Sequence, residues 1–229
     1  MSDPRAIAFL HTARPNIEVF RHLVAEIDPS VPTRHELLES VLHEAVGTGV
    51  LTDAMRRQTE AAIRALVADG AALVVCTCST IGGVAEATTV DGGVRVMRID
   101  RPMAEAAVAS GRRIVVAATL PSTLRPTIDL LQQVAAEQGR RIEIVELLCA
   151  DAWTYFQRGE RAAYAGAIAN AVTSGASTDD IVVLAQASMA PAADILAAKG
   201  VEVFASPELG VRAALDVYRR AVSRQPAGG

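Results

Sequence analysis

Ala71-Ala-Leu-Val-Val-Cys-Thr-Cys-Ser-Thr80 opens with five apolar residues in a row and closes on thiols and hydroxyls. A strand with one wet face alternates apolar and polar side chains, so an unbroken apolar run of this length reads as a strand covered on both faces. Ile181-Val-Val-Leu184 reads the same way. Strands buried on both faces belong to a parallel sheet with helices on either side. The intervening segments are long enough for helical crossovers.

Working outward from that run, strands are expected at Ala6–His11, Val31–Leu38, Ala71–Thr77, Arg95–Ile99, Arg113–Ala118, Ile142–Leu148, Ile181–Ala185 and Val201–Phe204. Val19, Leu23 and Ile27 recur at four-residue spacing and predict the first helix. Further helices are expected over Leu51–Ala68, Pro102–Ser110 and about 123–138, 160–173, 190–199 and 208–222. The class is α/β. Ligands of open parallel sheets bind beyond the carboxyl ends of the strands, so the residues just after each strand are the ones that matter.

Those residues carry an internal repeat. Thr12, after the first strand, corresponds to Thr119 at an offset of 119 minus 12, or 107, and Cys78 corresponds to Gln186 at 186 minus 78, or 108. Two landmarks with nearly one offset predict two similar α/β lobes related by a pseudo-twofold, their strand ends facing a shared cleft. The lobes are drawn at residues 1–98 plus 206–229 and at 99–205.

Composition narrows the chemistry. The chain has 229 residues, 51% of them hydrophobic and only 3% aromatic, so its core is built from Ala, Val, Leu and Ile. A net charge of −4 without a basic run gives no electrostatic footprint for nucleic acid. Lys199 is the only lysine, and neither Gly-x-Gly-x-x-Gly nor Gly-x-x-x-x-Gly-Lys occurs, so no nucleotide cofactor is indicated. Gly-x-Ser-x-Gly is absent too, which argues against an esterase. The N-terminal segment does not read as a signal peptide, no stretch reads as a membrane span, and three cysteines are too few for a disulfide scaffold. A reducing cytoplasm is the expected setting.

Val75-Cys76-Thr77-Cys78-Ser79-Thr80-Ile81-Gly82-Gly83 sets thiols, hydroxyls and free amides at the mouth of a buried strand, with a helix expected to begin near Gly83. Amides at such a turn bind anions, and their field activates a thiol as nucleophile or base. The competing reading is two buried structural cysteines. Cys149, after another strand, reads as core packing. His11, His22, His35 and His43 have no ligand spacing, and of them only His11, at a strand end, could line the cleft.

These motifs resemble the aspartate/glutamate/hydantoin racemase superfamily, with its maleate isomerase and arylmalonate decarboxylase relatives. The resemblance implies two Rossmann-like lobes around a cleft, with one cysteine from each lobe facing the substrate α-carbon. The first family motif, Cys-Asn-Thr or Cys-Thr-Ser, is matched best by Cys78-Ser79-Thr80; Cys76-Thr77 also aligns, and the internal offset prefers Cys78. The second motif, roughly Leu-Gly-Cys-Ala-Gly-Met-Ala, appears as Leu184-Ala-Gln-Ala-Ser-Met-Ala190, with Gln186 replacing the cysteine. By the same resemblance Thr119, Ser122, Thr123, Thr12 and Asn16 would hold substrate carboxylates, together with Ser79, Thr80, Gln186 and Ser188.

The family reaction takes an α-proton with one thiolate and returns one from a thiol on the opposite face. Gln186 exchanges no proton near neutral pH, so two-base racemisation does not carry over, and Cys78 is left to add to a double bond as in maleate isomerisation, to protonate an enolate after decarboxylation, or to work with a different base from a loop. A cofactor-independent racemase or isomerase acting next to a carboxylate is the expected function. The alternatives are a decarboxylase of malonate-type acids and a non-catalytic binder of a small carboxylate. The expected partner is that small carboxylate, with neither nucleic acid nor membrane, and dimers are the expectation for the family.

Overall fold

The computed structural model describes residues 5–224 apart from 112 and 178, and the side chain of residue 224 is likewise outside the description. In chain order the elements are β1 (Ile7–His11), α1 (Arg14–Ile27), β2 (Thr33–Leu37), α2 (Glu39–Thr48), α3 (Asp53–Ala68), β3 (Leu73–Cys76), α4 (Ser79–Ala87), β4 (Arg95–Arg98) and α5 (Arg101–Ser110). The second half adds β5 (Arg113–Ala118), α6 (Pro121–Glu137), β6 (Glu143–Leu148), α7 (Ala152–Gln157), α8 (Arg161–Gly175), β7 (Ile181–Leu184), a 3-10 turn (Ala187–Met189), α9 (Pro191–Ala197), β8 (Glu202–Ala205) and α10 (Ser206–Arg224).

Two four-stranded sheets result, ordered β2-β1-β3-β4 and β6-β5-β7-β8, with every strand pair parallel. The central strands β1, β3 and β7 are buried at every position, as the apolar runs of β3 and β7 require, and in β1 that includes the terminal His11. Ile7 pairs with Leu73 in the first sheet and Ile114 with Ile181 in the second. The differences, 114 minus 7 or 107 and 181 minus 73 or 108, are the two offsets of the sequence repeat. The repeat is therefore a repeat of strand register.

By its contacts the chain forms two compact units, one from Met1–Gly47, Leu51–Ile99 and Pro207–Gly229, the other from Thr48–Val50 and Asp100–Ser206. In the first, Ala8, Leu10, Val41, Met55, Ile63, Val74 and Ile81 are among the residues of one core cluster. Helix α10 adds Val211, Ala214 and Leu215, all buried. Its Gly210 lies so close to β4's end that a Cβ there would stand 2.3 Å from the Ile99 carbonyl oxygen. In the second unit, Val115, Val182, Leu184, Ile168 and Val172 join Cys149 and Tyr164 in the core.

Several local expectations need correction. Helix α1 buries Asn16, Phe20 and Val24 rather than the Val19, Leu23, Ile27 stripe, which falls half-buried at its flank. Helix α4 begins at Ser79, four residues ahead of Gly83, so Cys78 is its N-cap. Helix α6 begins at Pro121, where proline's fixed φ and missing N–H cost nothing, and this puts Ser122 and Thr123 in its first turn. Helices α2 and α7 had no counterpart in the expected pattern.

Candidate functional site

Each sheet has one place where neighbouring strands send their connections in opposite directions: between β1 and β3, and between β5 and β7. Such switch points leave a crevice beyond the strand ends. Every predicted site residue lies after one of these four strands.

In the first unit β1 is followed by Thr12, Ala13 and helix α1, and β3 by Thr77, Cys78 and helix α4. Neither N-cap residue, Ala13 or Cys78, caps its helix with a side chain. In α4 the first-turn N–H groups have no side-chain acceptor, which suits an anion, whereas in α1 Pro15 has no N–H and the Asn16 N–H donates to the Ala13 carbonyl at 3.1 Å. Thr12, Asn16 and Thr80 are buried to 3%, 8% and 6% exposure. Among the described residues their side-chain polar atoms have no hydrogen-bond partner. Ser79 is buried in the same turn.

The two thiols of this segment separate cleanly. Cys76 closes β3 with no exposed surface, packs into the core and donates its S–H to the Cys78 carbonyl at 3.6 Å. Cys78, one step past Thr77, is half-buried and packs against the edge of the same core.

His11 does not line the crevice: it is fully buried beneath Thr77. Thr77 Oγ1 donates to the Leu10 carbonyl at 3.1 Å, so it accepts from His11 Nδ1–H at 2.9 Å. His11 Nε2 is then left to accept from His35 Nδ1–H at 2.9 Å, and His35 Nε2 faces the Thr33 hydroxyl at 3.3 Å. Both rings are neutral in this chain of donors. Burial, with each ring's charged neighbours secondary, holds His11 down at about 3 and His35 at about 4.

In the second unit β5 is followed by Thr119, Leu120 and helix α6, and β7 by Ala185, Gln186 and the 3-10 turn. Leu120 and Gln186 also cap without side-chain hydrogen bonds. Gln186 reaches instead across to the neighbouring strand end. Its Oε1 accepts the Thr119 backbone N–H at 2.6 Å and the Thr119 hydroxyl at 2.9 Å. The backbone donor fixes which end of the amide is oxygen. The Nε2 group is left without a partner among the described residues, as two oriented donors.

Behind this pair stands a residue the sequence reading passed over. The Tyr164 hydroxyl, from α8, is 3.0 Å from Ser188 Oγ and 3.5 Å from Thr119 Oγ1. Burial pushes the phenol above its usual range, so it remains protonated. Ser122 and Thr123 are buried in the first turn of α6, and Ser122 Oγ has no partner among the described residues. Cys149, after β6, is 5% exposed in apolar surroundings that push its thiol up to about 11. It is core.

No family model and no curated protein matches the sequence. Solved structures do match its fold. Glutamate racemase from Thermus thermophilus, in complex with β-chloro-D-alanine, superposes with a TM-score of 0.71 at 17% identity over 99% of this chain and 86% of that one. Aspartate racemase from Picrophilus torridus gives 0.69 at 13% identity over 94% of each chain. The Gly74Cys mutant of arylmalonate decarboxylase gives 0.55 at 16% identity over 93% of each. The chain has the two-lobe α/β fold of the glutamate and aspartate racemases and of arylmalonate decarboxylase.

Proposed function

We propose that this chain is a cofactor-independent, racemase- or isomerase-like enzyme of the aspartate/glutamate racemase superfamily, acting on a carbon next to a carboxylate with Cys78 as its single acid–base thiol. The observation that carries the reading is the first crevice. There Thr12, Asn16 and Thr80 hold polar atoms without partners among the described residues, in the same crevice as a half-buried thiol at a helix start without a side-chain cap. Polar groups without a protein partner beyond the strand ends are free to hold a ligand.

Chemically, a Cys78 thiolate takes the α-proton, the C–H electron pair moves into the carboxylate, and the enolate is held by N–H and O–H donors until the proton returns. In the second crevice Thr119, Ser122, Thr123, Gln186 and Ser188 bind ligand, with Gln186 serving as a fixed donor where relatives of this fold carry a second cysteine. An amide delivers no proton at neutral pH. One thiol then exchanges the α-proton on one face, and it cannot by itself invert the carbon.

The same arrangement supports a second reading, decarboxylation of a malonate-type acid. The C–C electron pair left by departing carbon dioxide forms the enolate, and the Cys78 S–H protonates it. The likeness to arylmalonate decarboxylase favours keeping this reaction in view.

Proton NMR in deuterated buffer tests the proposal, with a panel of amino acids, dicarboxylates and arylmalonates and with wild type beside Cys78→Ala. Exchange, isomerisation or decarboxylation that is present in wild type and lost in Cys78→Ala is the expected result. Activity retained without the thiol removes Cys78 from the chemistry. Ligand-induced thermal stabilisation with no turnover across the panel makes the protein a carboxylate binder.

A further inference from the structure

Around Tyr164 one direction of hydrogen bonding satisfies all the contacts of the second crevice at once. Gln186 Oε1 is an acceptor only, so the Thr119 hydroxyl spends its proton on it at 2.9 Å. Thr119 Oγ1 can then meet Tyr164 only as an acceptor, and the phenol donates to it at 3.5 Å. Satisfying both contacts then has the phenol oxygen accept the Ser188 hydroxyl at 3.0 Å, a contact across which either oxygen can donate. In that arrangement Ser188 Oγ keeps lone pairs alone, while Gln186 Nε2 two residues earlier keeps protons alone. Tyr164 is itself buried, and Ser188 and Gln186 are half-buried.

We propose that Tyr164 is a specificity-determining positioning residue: by consuming the Ser188 proton it makes the 186–188 turn select a ligand that offers an acceptor to Gln186 and a neighbouring N–H or O–H donor to Ser188. Acids that carry acceptors alone are disfavoured there, because lone pairs would meet lone pairs at Ser188. The inference rests on the proposed function only in taking this turn to face ligand.

A matched pair of probes tests it by calorimetry at pH 6.5, without requiring turnover. 5-Oxopyrrolidine-2-carboxylate and 5-oxotetrahydrofuran-2-carboxylate share shape and charge, and differ in a ring N–H against a ring oxygen. Wild type is expected to bind the lactam at least about tenfold more tightly, the scale of one mismatched hydrogen bond. Tyr164→Phe returns the Ser188 proton and should shrink the preference to about threefold or less, and Ser188→Ala should do the same. Equal binding of the two acids by wild type, or a preference unchanged in Tyr164→Phe, overturns the proposal.

A ligand-free arm decides the matter if neither acid binds. The Tyr164 hydroxyl proton, observed by NMR at low temperature, should persist in Ser188→Ala and be lost in Thr119→Val. The reverse pattern means that the phenol donates to Ser188 and sinks the assignment. A protein that prefers the lactam but turns over nothing keeps this inference and loses the enzymatic one.

Discussion

His11 Nε2 lies 2.9 Å from His35 Nδ1, with the two rings nearly parallel at 15° and Phe9 stacked on His35. An imidazole pair in such apolar company shares one N–H along the bond, and both rings stay neutral.

Acid should therefore unfold the first unit from within. An unfolded chain protonates these rings near 6.5, whereas the folded one resists until about 3 for His11 and about 4 for His35. Between those values the unfolded state binds more protons, so stability is full above 6.5 and falls as pH drops, by up to about 1.4 kcal/mol per pH unit for His11. Urea melts at pH 7, 5.5 and 4.5 should show the decline, and His11→Gln should flatten it. A wild-type midpoint constant over that range would show that the pair is already charged.

Two glycine substitutions in helices should move stability in opposite directions. Gly210→Ala drives a methyl into the Ile99 carbonyl, 2.3 Å away, and should cost about 2–4 kcal/mol. Gly166→Ala in α8 meets nothing within 4 Å and should gain about 0.5–1 kcal/mol by restricting the unfolded chain. Thermal melts of both variants check the pair.

Iodoacetamide should find one thiol quickly. Cys78 is half-buried, while Cys76 and Cys149 are 0% and 5% exposed. Peptide mapping should give a single early adduct on Cys78, with the other two appearing at the rate of unfolding. Fast labelling of Cys76 would reverse the assignment of the two thiols.

Gln186→Glu separates folding from binding. A carboxylate accepts from the Thr119 N–H and hydroxyl as the amide oxygen does, so the melting temperature should hold or rise. The two outward donors become a charged oxygen, and carboxylate binding should weaken by tenfold or more in calorimetry. Unweakened binding would mean that the amide does not meet the ligand.

The strand plan was legible because burial on both faces erases alternation, and the two offsets in sequence became two identical registers. What escaped were features set by contacts distant along the chain. Helix α4 was placed late because Gly82 and Gly83 look like helix breakers. In the fold Gly82 is the seat of the buried Arg98 guanidinium, where a Cβ would lie 2.9 Å from Nε. Tyr164 was passed over because nothing in its own helix marks a phenol that meets Ser188, 24 positions on. His11 looked like a site residue since it ends a strand, but its partner on β2 turns it inward.

Helix α10 has a consequence for how the protein is made. The second unit is almost one continuous piece and is complete once Ser206 has left the ribosome, whereas the first lacks Val211, Ala214 and Leu215 of its core until the last helix emerges. Synthesis thus builds the later half first and leaves the earlier half, Cys78 included, waiting for a closing segment. A ribosome stalled before residue 207 would carry a finished second unit beside a first unit with its apolar flank still bare.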